Sequence, residues 1–142
     1  MAKLPVDQEL AWKEMVIPND LRAAAGTERA IVEEVERHGY GADATFAIRL
    51  AIEEALTNAI KHGNSNDPSR RVFVRYAVDA RRAVVCVRDE GKGFNVEEVP
   101  DPTAPDRISL PNGRGIMLMR AYMDEITYSE RGNEVRLVKV KQ

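Results

Sequence analysis

A chain of 142 residues, 44% apolar and 31% charged, is of single-domain size, buries roughly two-thirds of its unfolded surface and is too apolar to be disordered. Its formal net charge of −2 offers no basic field for nucleic acid or an anionic membrane, and its one cysteine, Cys86, excludes an internal disulfide. No stretch approaches the ~20 apolar residues of a membrane span and Met1 to Met15 has no signal-peptide core, so a cytoplasmic protein is expected.

In chain order, residues 1–9 read as a loose leader and residues 10–142 as one domain. Leu10 to Ile17 reads as a first strand carrying Trp12 and Met15. An aromatic at that place serves either the core or a surface for a partner, so a homodimer stays open. Pro18-Asn19-Asp20 can start a helix; Leu21, Ala24, Ala25, Ile31 and Val35 give it an apolar seam as far as His38, weakened by Gly26 and ended by Gly39 and Gly41. His38 reads as a C-terminal cap that favours the helix dipole. Asp43 caps a second helix running to about Lys61, whose set Ile48, Ile52, Ala55, Leu56 and Ala59 is the broad face of a helix packed on a sheet. Arg71–Val78 and Arg82–Arg88 form a hairpin across Asp79-Ala80-Arg81, with Cys86 a packed sheet residue. Asn95–Asn112 holds four of the seven prolines and reads as a long connection, of a size that is usually functional or disordered. A helix from Gly113 to Met123 follows, with Met117, Met119 and Met123 reading as core. A second hairpin, Glu125–Ser129 with Asn133–Val140, turns at Arg131-Gly132. The fold class is α+β: a two-layer sandwich of a mostly antiparallel, mixed sheet with helices on one face.

Three segments carry chemistry. In Glu53-Glu54-Ala55-Leu56-Thr57-Asn58, Glu54 and Asn58 lie one turn apart, within about 40° on the helix surface, while Glu53 points about 100° away. An amide oxygen can ligate Mg²⁺ and a neighbouring carboxylate can orient or deprotonate a nucleophile; the plain alternative is a solvated polar pair. Asp89-Glu90-Gly91-Lys92-Gly93-Phe94 arrives straight off a strand. Two glycines let the backbone approach a flat ligand, and the aspartate can accept from an exocyclic amine. It lacks the G-x-G-x-x-G opening a helix at once that marks a dinucleotide fold. Asn112-Gly113-Arg114-Gly115-Ile116 opens a helix, where free N–H groups and the dipole make an anion site to which Arg114 adds a charged donor.

A Glu-Asn helix, then D-x-G-x-G-F off a strand, then a long connection, then G-R-G at a helix start is far more specific than any one part. In this order the chain resembles the GHKL (Bergerat-fold, histidine-kinase-like) ATP-binding superfamily, and within it the anti-sigma-factor serine kinases of bacterial partner-switching systems. The resemblance runs from about Leu10 to Val140. It implies ATP with Mg²⁺: Glu54 as general base toward an acceptor serine and Asn58 as the metal ligand. Asp89 would accept from the adenine amine, with Gly91, Gly93 and Phe94 forming the adenine-side loop. Gly113, Arg114 and Gly115 would meet phosphate, and His62 with Gly63 would close the Asn motif. Where many members of the superfamily place a Gly-Thr that helps bind adenine, this chain reads Gly132-Asn133, a departure that touches one adenine contact.

The function implied is a serine/threonine kinase that binds a sigma factor and phosphorylates an anti-anti-sigma (antagonist) partner, without direct contact to nucleic acid or membrane. The alternative is an ATP-sensing regulatory module without phosphotransfer, which would need no base at Glu54. A histidine kinase would require an acceptor-His hairpin upstream of the first helix, and a gyrase- or chaperone-type ATPase a transducer domain. Neither is expected in a chain of this length.

Overall fold

The structure is a computed structural model, and it describes residues 10–92 and 122–141. The 1–9 leader, the 95–112 connection, Gly93, Phe94, Gly113, Arg114, Gly115 and all but the end of the 113–123 helix lie outside the described residues. The elements run β1 (Lys13–Pro18), α1 (Leu21–Arg37), α2 (Ala42–Asn58), a π-helical turn (Ala59–Gly63), β2 (Arg71–Val78), β3 (Arg82–Arg88), β4 (Glu125–Tyr128) and β5 (Glu134–Val140). The strands form one sheet in the order β1-β2-β3-β5-β4. Every pairing among them is antiparallel.

Local chemistry sets the ends. Asp20 caps α1, its carboxylate accepting from Arg22 N at 3.0 Å. His38 closes that helix, its Nδ1 lying 2.9 Å from the Glu34 carbonyl, and Gly39 turns the chain at φ +77°. The second helix differs from expectation at both ends. Gly41, not Asp43, occupies the N-cap, and no side chain bonds there; Asp43 sits in the first turn, where its charge suits the dipole. At the other end the α register stops at Asn58, and the chain widens into the π turn. Asp79 closes the first hairpin: its Oδ1 accepts from Arg81 N at 2.7 Å and Arg82 N at 2.9 Å. The hydrogen bond from Arg82 is the main reason its carboxyl is held below the ordinary range.

Alternation along the strands separates two faces. Val72, Val74, Tyr76 and Val78 of β2, Ala83, Val85 and Val87 of β3, and Val135 and Leu137 of β5 join Ile31 and Val35 of α1 and Ile48, Ile52, Ala55 and Leu56 of α2 in the main core, together with Met123. The first-helix seam is narrower than its spacing suggests, because Leu21 and Ala25 face solvent while Thr27 is buried and bonds its hydroxyl to the Ala23 carbonyl at 3.0 Å. The other face carries a smaller cluster of Leu10, Ala77, Val84, Cys86 and Val138, against which Trp12 packs. Leu10 to Trp12 precede β1 rather than belonging to it. Trp12 lies under the Arg75 guanidinium at 4.9 Å. Among the described residues no helix is long and apolar enough to cross a membrane.

Two measurements test this packing. Leu137 is 0% exposed at the middle of β5, so Leu137→Ala should cost about 2–5 kcal/mol in urea unfolding with an unchanged slope. Burial pushes the Cys86 thiol up from 9.0 to about 11. A raised folded value contributes stability that is complete below pH 9 and lost as pH rises through about 11. Thermal melts of wild type should therefore fall across that window, and Cys86→Ala should flatten the fall.

Candidate functional site

The site lies at the end of the sheet where β3 stops and α2 runs out. Asp89 continues the β3–β5 ladder, its N–H donating to the Asn133 carbonyl at 2.9 Å while Asn133 Nδ2 donates back to the Asp89 carbonyl at 3.2 Å. The Asp89 carboxylate is thereby carried into the interior, and the residue is 8% exposed. Its Oδ1 accepts from Gly91 N at 2.8 Å, a tight Asx turn. Burial raises its proton affinity, opposed by the Gly91 N–H and by the nearby Arg70, Arg131 and Arg88. Arg70 and Arg131 also reach the loop backbone, at the Gly63 carbonyl (3.5 Å) and the Gly91 carbonyl (3.4 Å).

The π turn delivers Gly63 onto this loop. A methyl group built on Gly63 would overlap the Asp89 carboxylate, and one built on Gly91 would overlap the Gly63 carbonyl. Glycine is required at both positions by this close approach. The widened turn is held by Asn64 N–H donating to the Ala59 carbonyl at 2.8 Å, five residues back, and by Asn66 N–H donating to Ile60 at 2.9 Å. Such turns recur at functional sites because they re-aim the residues that follow.

One turn earlier, Glu54 and Asn58 are both half-buried while Glu53 is exposed. The Asn58 side chain lies close enough to the Glu54 carboxylate to lower its proton affinity. An amide beside a carboxylate offers its N–H groups to it, and its carbonyl oxygen is the atom a hard cation would take. Burial, then the Glu53 charge, raises the proton affinity of Glu54; the Asn58 amide and the His62 imidazole pull it back. Behind this pair, on α1, Glu28 is also raised by burial and by Glu53, and its Oε1 is buried with no hydrogen-bond partner among the described residues.

The structure thus brings Glu54, Asn58 and His62 to one end of α2, and Gly63, Asp89 and Gly91 to one contact. Asn133 replaces the expected threonine with a residue committed to the loop: its Nδ2 holds Asp89 and its Oδ1 accepts from Ser129 Oγ at 3.3 Å. Spacing gave no hint of Asn64, which is 0% exposed, nor of Asn19, Arg70 and Arg131. Only the place of Asn64 directly after His62-Gly63 could have pointed to it. Cys86 and His38 stand apart from the site, one packed in the sheet and the other capping α1.

Residues 17–139 match the family model described as "Histidine kinase-like ATPase domain". The chain belongs to that family. It is 36% identical over 102 residues to an anti-sigma F factor of Anoxybacillus flavithermus, covering 68% of this chain and 70% of that one. To a serine-protein kinase RsbW of Bacillus velezensis it is 29% identical over 134 residues, covering 89% and 83%. A crystal structure of the RsbU and RsbW domains of a Mycobacterium tuberculosis protein shares the fold at a TM-score of 0.58 and 17% identity, over 92% of this chain and 32% of that chain. Membership in a family of ATPase domains makes a nucleoside triphosphate the substrate class, and the α+β architecture with helices on one face agrees with the expected fold.

The glycine contact generates a paired test. Gly91→Ala should weaken ATP binding at least tenfold, about 1.4 kcal/mol, and lower the melting temperature, because the obstruction is backbone. Gly26 in α1 has nothing within 4 Å of an added Cβ, so Gly26→Ala should stabilise by about 0.5–1 kcal/mol and leave ATP titration curves unchanged.

Proposed function

We propose that this chain is an ATP-dependent serine/threonine kinase that acts as an anti-sigma regulatory factor. It holds a sigma factor and phosphorylates a serine on an anti-anti-sigma partner. The observation that carries the reading is the half-buried Glu54–Asn58 stripe at the end of α2, just ahead of the Gly63 contact with Asp89. It sets a carboxylate of raised proton affinity beside an amide whose oxygen suits a hard cation, next to the loop that bears Asp89.

Each residue then has a task. Asp89 accepts from the adenine amine, its Oδ1 oriented by Gly91 N–H, and the bare backbone of Gly63 and Gly91 lets the helix end and the loop close on each other and hold that carboxylate in place. Gly93 and Phe94 extend the adenine side, and Gly113, Arg114 and Gly115 receive the phosphates at a helix start. The chemistry of the donor set fits Mg²⁺: Asn58 would hold it through the carbonyl oxygen, shared with phosphate oxygens, and His62 stands beside the same helix end. The metal would neutralise phosphate charge. Glu54 takes the proton from the partner's serine hydroxyl as that oxygen bonds to the γ-phosphorus. The bond from the γ-phosphorus to the bridging oxygen breaks, and ADP departs with that electron pair. Burial and Glu53 raise the basicity of Glu54, which brings its proton affinity closer to the working pH and improves it as a base. The similarity to an anti-sigma F factor and a serine-protein kinase RsbW supports both the sigma factor and the antagonist as protein partners.

The reading is tested by transfer of label from γ-labelled ATP to the antagonist encoded nearest to this chain, beside an equilibrium titration. Glu54→Gln should lose 10²–10⁴-fold of transfer, the usual range for a general base, with ATP affinity kept within a few-fold. Asn58→Ala should weaken Mg-ATP at least tenfold, about 1.4 kcal/mol, and Glu53→Gln should transfer nearly as wild type. Full transfer by Glu54→Gln would remove the base; binding without transfer by wild type would favour the ATP-sensing module instead.

A further inference from the structure

Asn64 is the most completely used buried polar side chain of the site, and no step of the proposed chemistry requires it. It is 0% exposed. Its Nδ2 donates to Asn19 Oδ1 at 3.1 Å and to the Arg71 carbonyl at 3.0 Å, and its Oδ1 accepts from Glu90 N at 2.8 Å. Asn19 in turn donates to the Asp67 carbonyl at 3.0 Å and, at 3.4 Å, to the Ile60 carbonyl within the π turn. One amide therefore ties together the end of the π turn, the β1–α1 junction, the start of β2 and the loop that bears Asp89 and Gly91.

The backbone around it is held away from its preferred state. Ser65 and Asn66 both adopt positive φ, 53° and 57°. Left-handed backbone suits asparagine better than serine, and a non-glycine residue kept there is a cost that its surroundings must offset. The hydrogen bonds from Asn66 N to Ile60 and from Asp67 N to Asn64 fold this turn back beneath Gly63. Asn64 bonds to the Glu90 N–H of the Asp89 loop and follows directly on Gly63, so it and the strained turn lie on both sides of the Gly63–Asp89 contact.

We infer that Asn64, braced by Asn19, is a specificity-determining positioning residue that sets the spacing between Gly63 and Asp89 and thereby the preference for adenine over guanine. The physical basis is that an aspartate oxygen accepts from the adenine amine but opposes the guanine carbonyl. That discrimination holds only while the carboxylate is fixed against the glycine wall. When the Asn64 bonds are removed, Glu90 N–H and the Arg71 carbonyl lose a buried partner, and the Asp89 loop is free to shift. The inference rests on the reading of Asp89 as the adenine acceptor.

The experiment is titration of fluorescent ATP and GTP analogues against Asn64→Ala, Asn64→Asp, Asn19→Ala, Asp89→Asn and Leu137→Ala, each shown folded by circular dichroism at the titration temperature. Asn64→Asp keeps the acceptor for Glu90 N but loses both donors. The Asn64 variants should lose at least tenfold in ATP affinity and at least tenfold in the ATP/GTP ratio. Asn19→Ala, outside the pocket and half-buried, should lower the ratio about threefold and serves where Asn64→Ala does not fold. Leu137→Ala, destabilised through the core alone, should keep the wild-type ratio. If Asp89→Asn loses ATP while folded Asn64 and Asn19 variants keep the ratio, the inference is overturned and the kinase reading stands. If Asp89→Asn keeps both affinity and ratio, the adenine assignment falls and takes the inference with it.

Discussion

One close contact between a helix end and a strand end organises this protein. Gly63, at the end of a helix, lies against Asp89 and Gly91, at the end of a strand, so closely that a methyl group on either glycine overlaps its neighbour. The contact seats α2 and the π turn at one fixed height over the sheet. It also carries a carboxylate into the interior, and an interior carboxylate needs hydrogen bonds and nearby cations to persist. Gly91 N–H, Arg70, Arg131 and Arg88 supply them. The asparagines at positions 19, 64 and 133 then tie the same junction from three sides.

The two acids of the site are treated differently although burial raises the proton affinity of both. Asp89 is enclosed and its Oδ1 is committed to the turn, which suits a fixed acceptor. Glu54 is half-buried near the end of α2, with an exposed acid before it that raises its proton affinity and an imidazole beyond it that lowers it. A group in that position can exchange a proton with something arriving from solvent. The different settings of the two carboxylates follow from where each lies relative to the glycine contact.

The sheet is covered by helices on one face and largely by arginine on the other. Arg75 lies over Trp12, and Arg71 and Arg88 flank the Phe73 ring at 5.4 and 4.1 Å. Arg136, 2% exposed, pairs with Glu125 at 2.9 Å. Arg71 and Arg75 cover this face with apolar stems while keeping their charge near water, and the buried Arg136 is neutralised by Glu125 instead. Among the described residues this face stays polar at its surface, and Trp12 is engaged within it.

Much of this was legible in the chain itself. Strands Arg71–Val78 and Arg82–Arg88, and the α2 face of Ile48, Ile52, Ala55 and Leu56, follow from periods of two and 3.6 that each segment carries alone. The Glu54–Asn58 stripe is likewise a property of one helix, and the order of motifs pointed to the family. What the chain did not disclose is the π turn, the Gly41 cap and the junction held by Asn64. A π turn differs from an α turn by one residue in its hydrogen-bonded ring, and no side-chain pattern marks it. Asn64, within Gly63-Asn64-Ser65-Asn66-Asp67, reads as an ordinary solvated turn, since asparagine there is favoured locally whether or not it is buried. Its partners lie 45 residues before it at Asn19 and 26 after it at Glu90. Periodicity reports which face of an element is apolar; it carries no information on which element ends meet. That meeting was decided by packing the helices onto the sheet, and with it came the burial that turns a turn residue into the brace of the site.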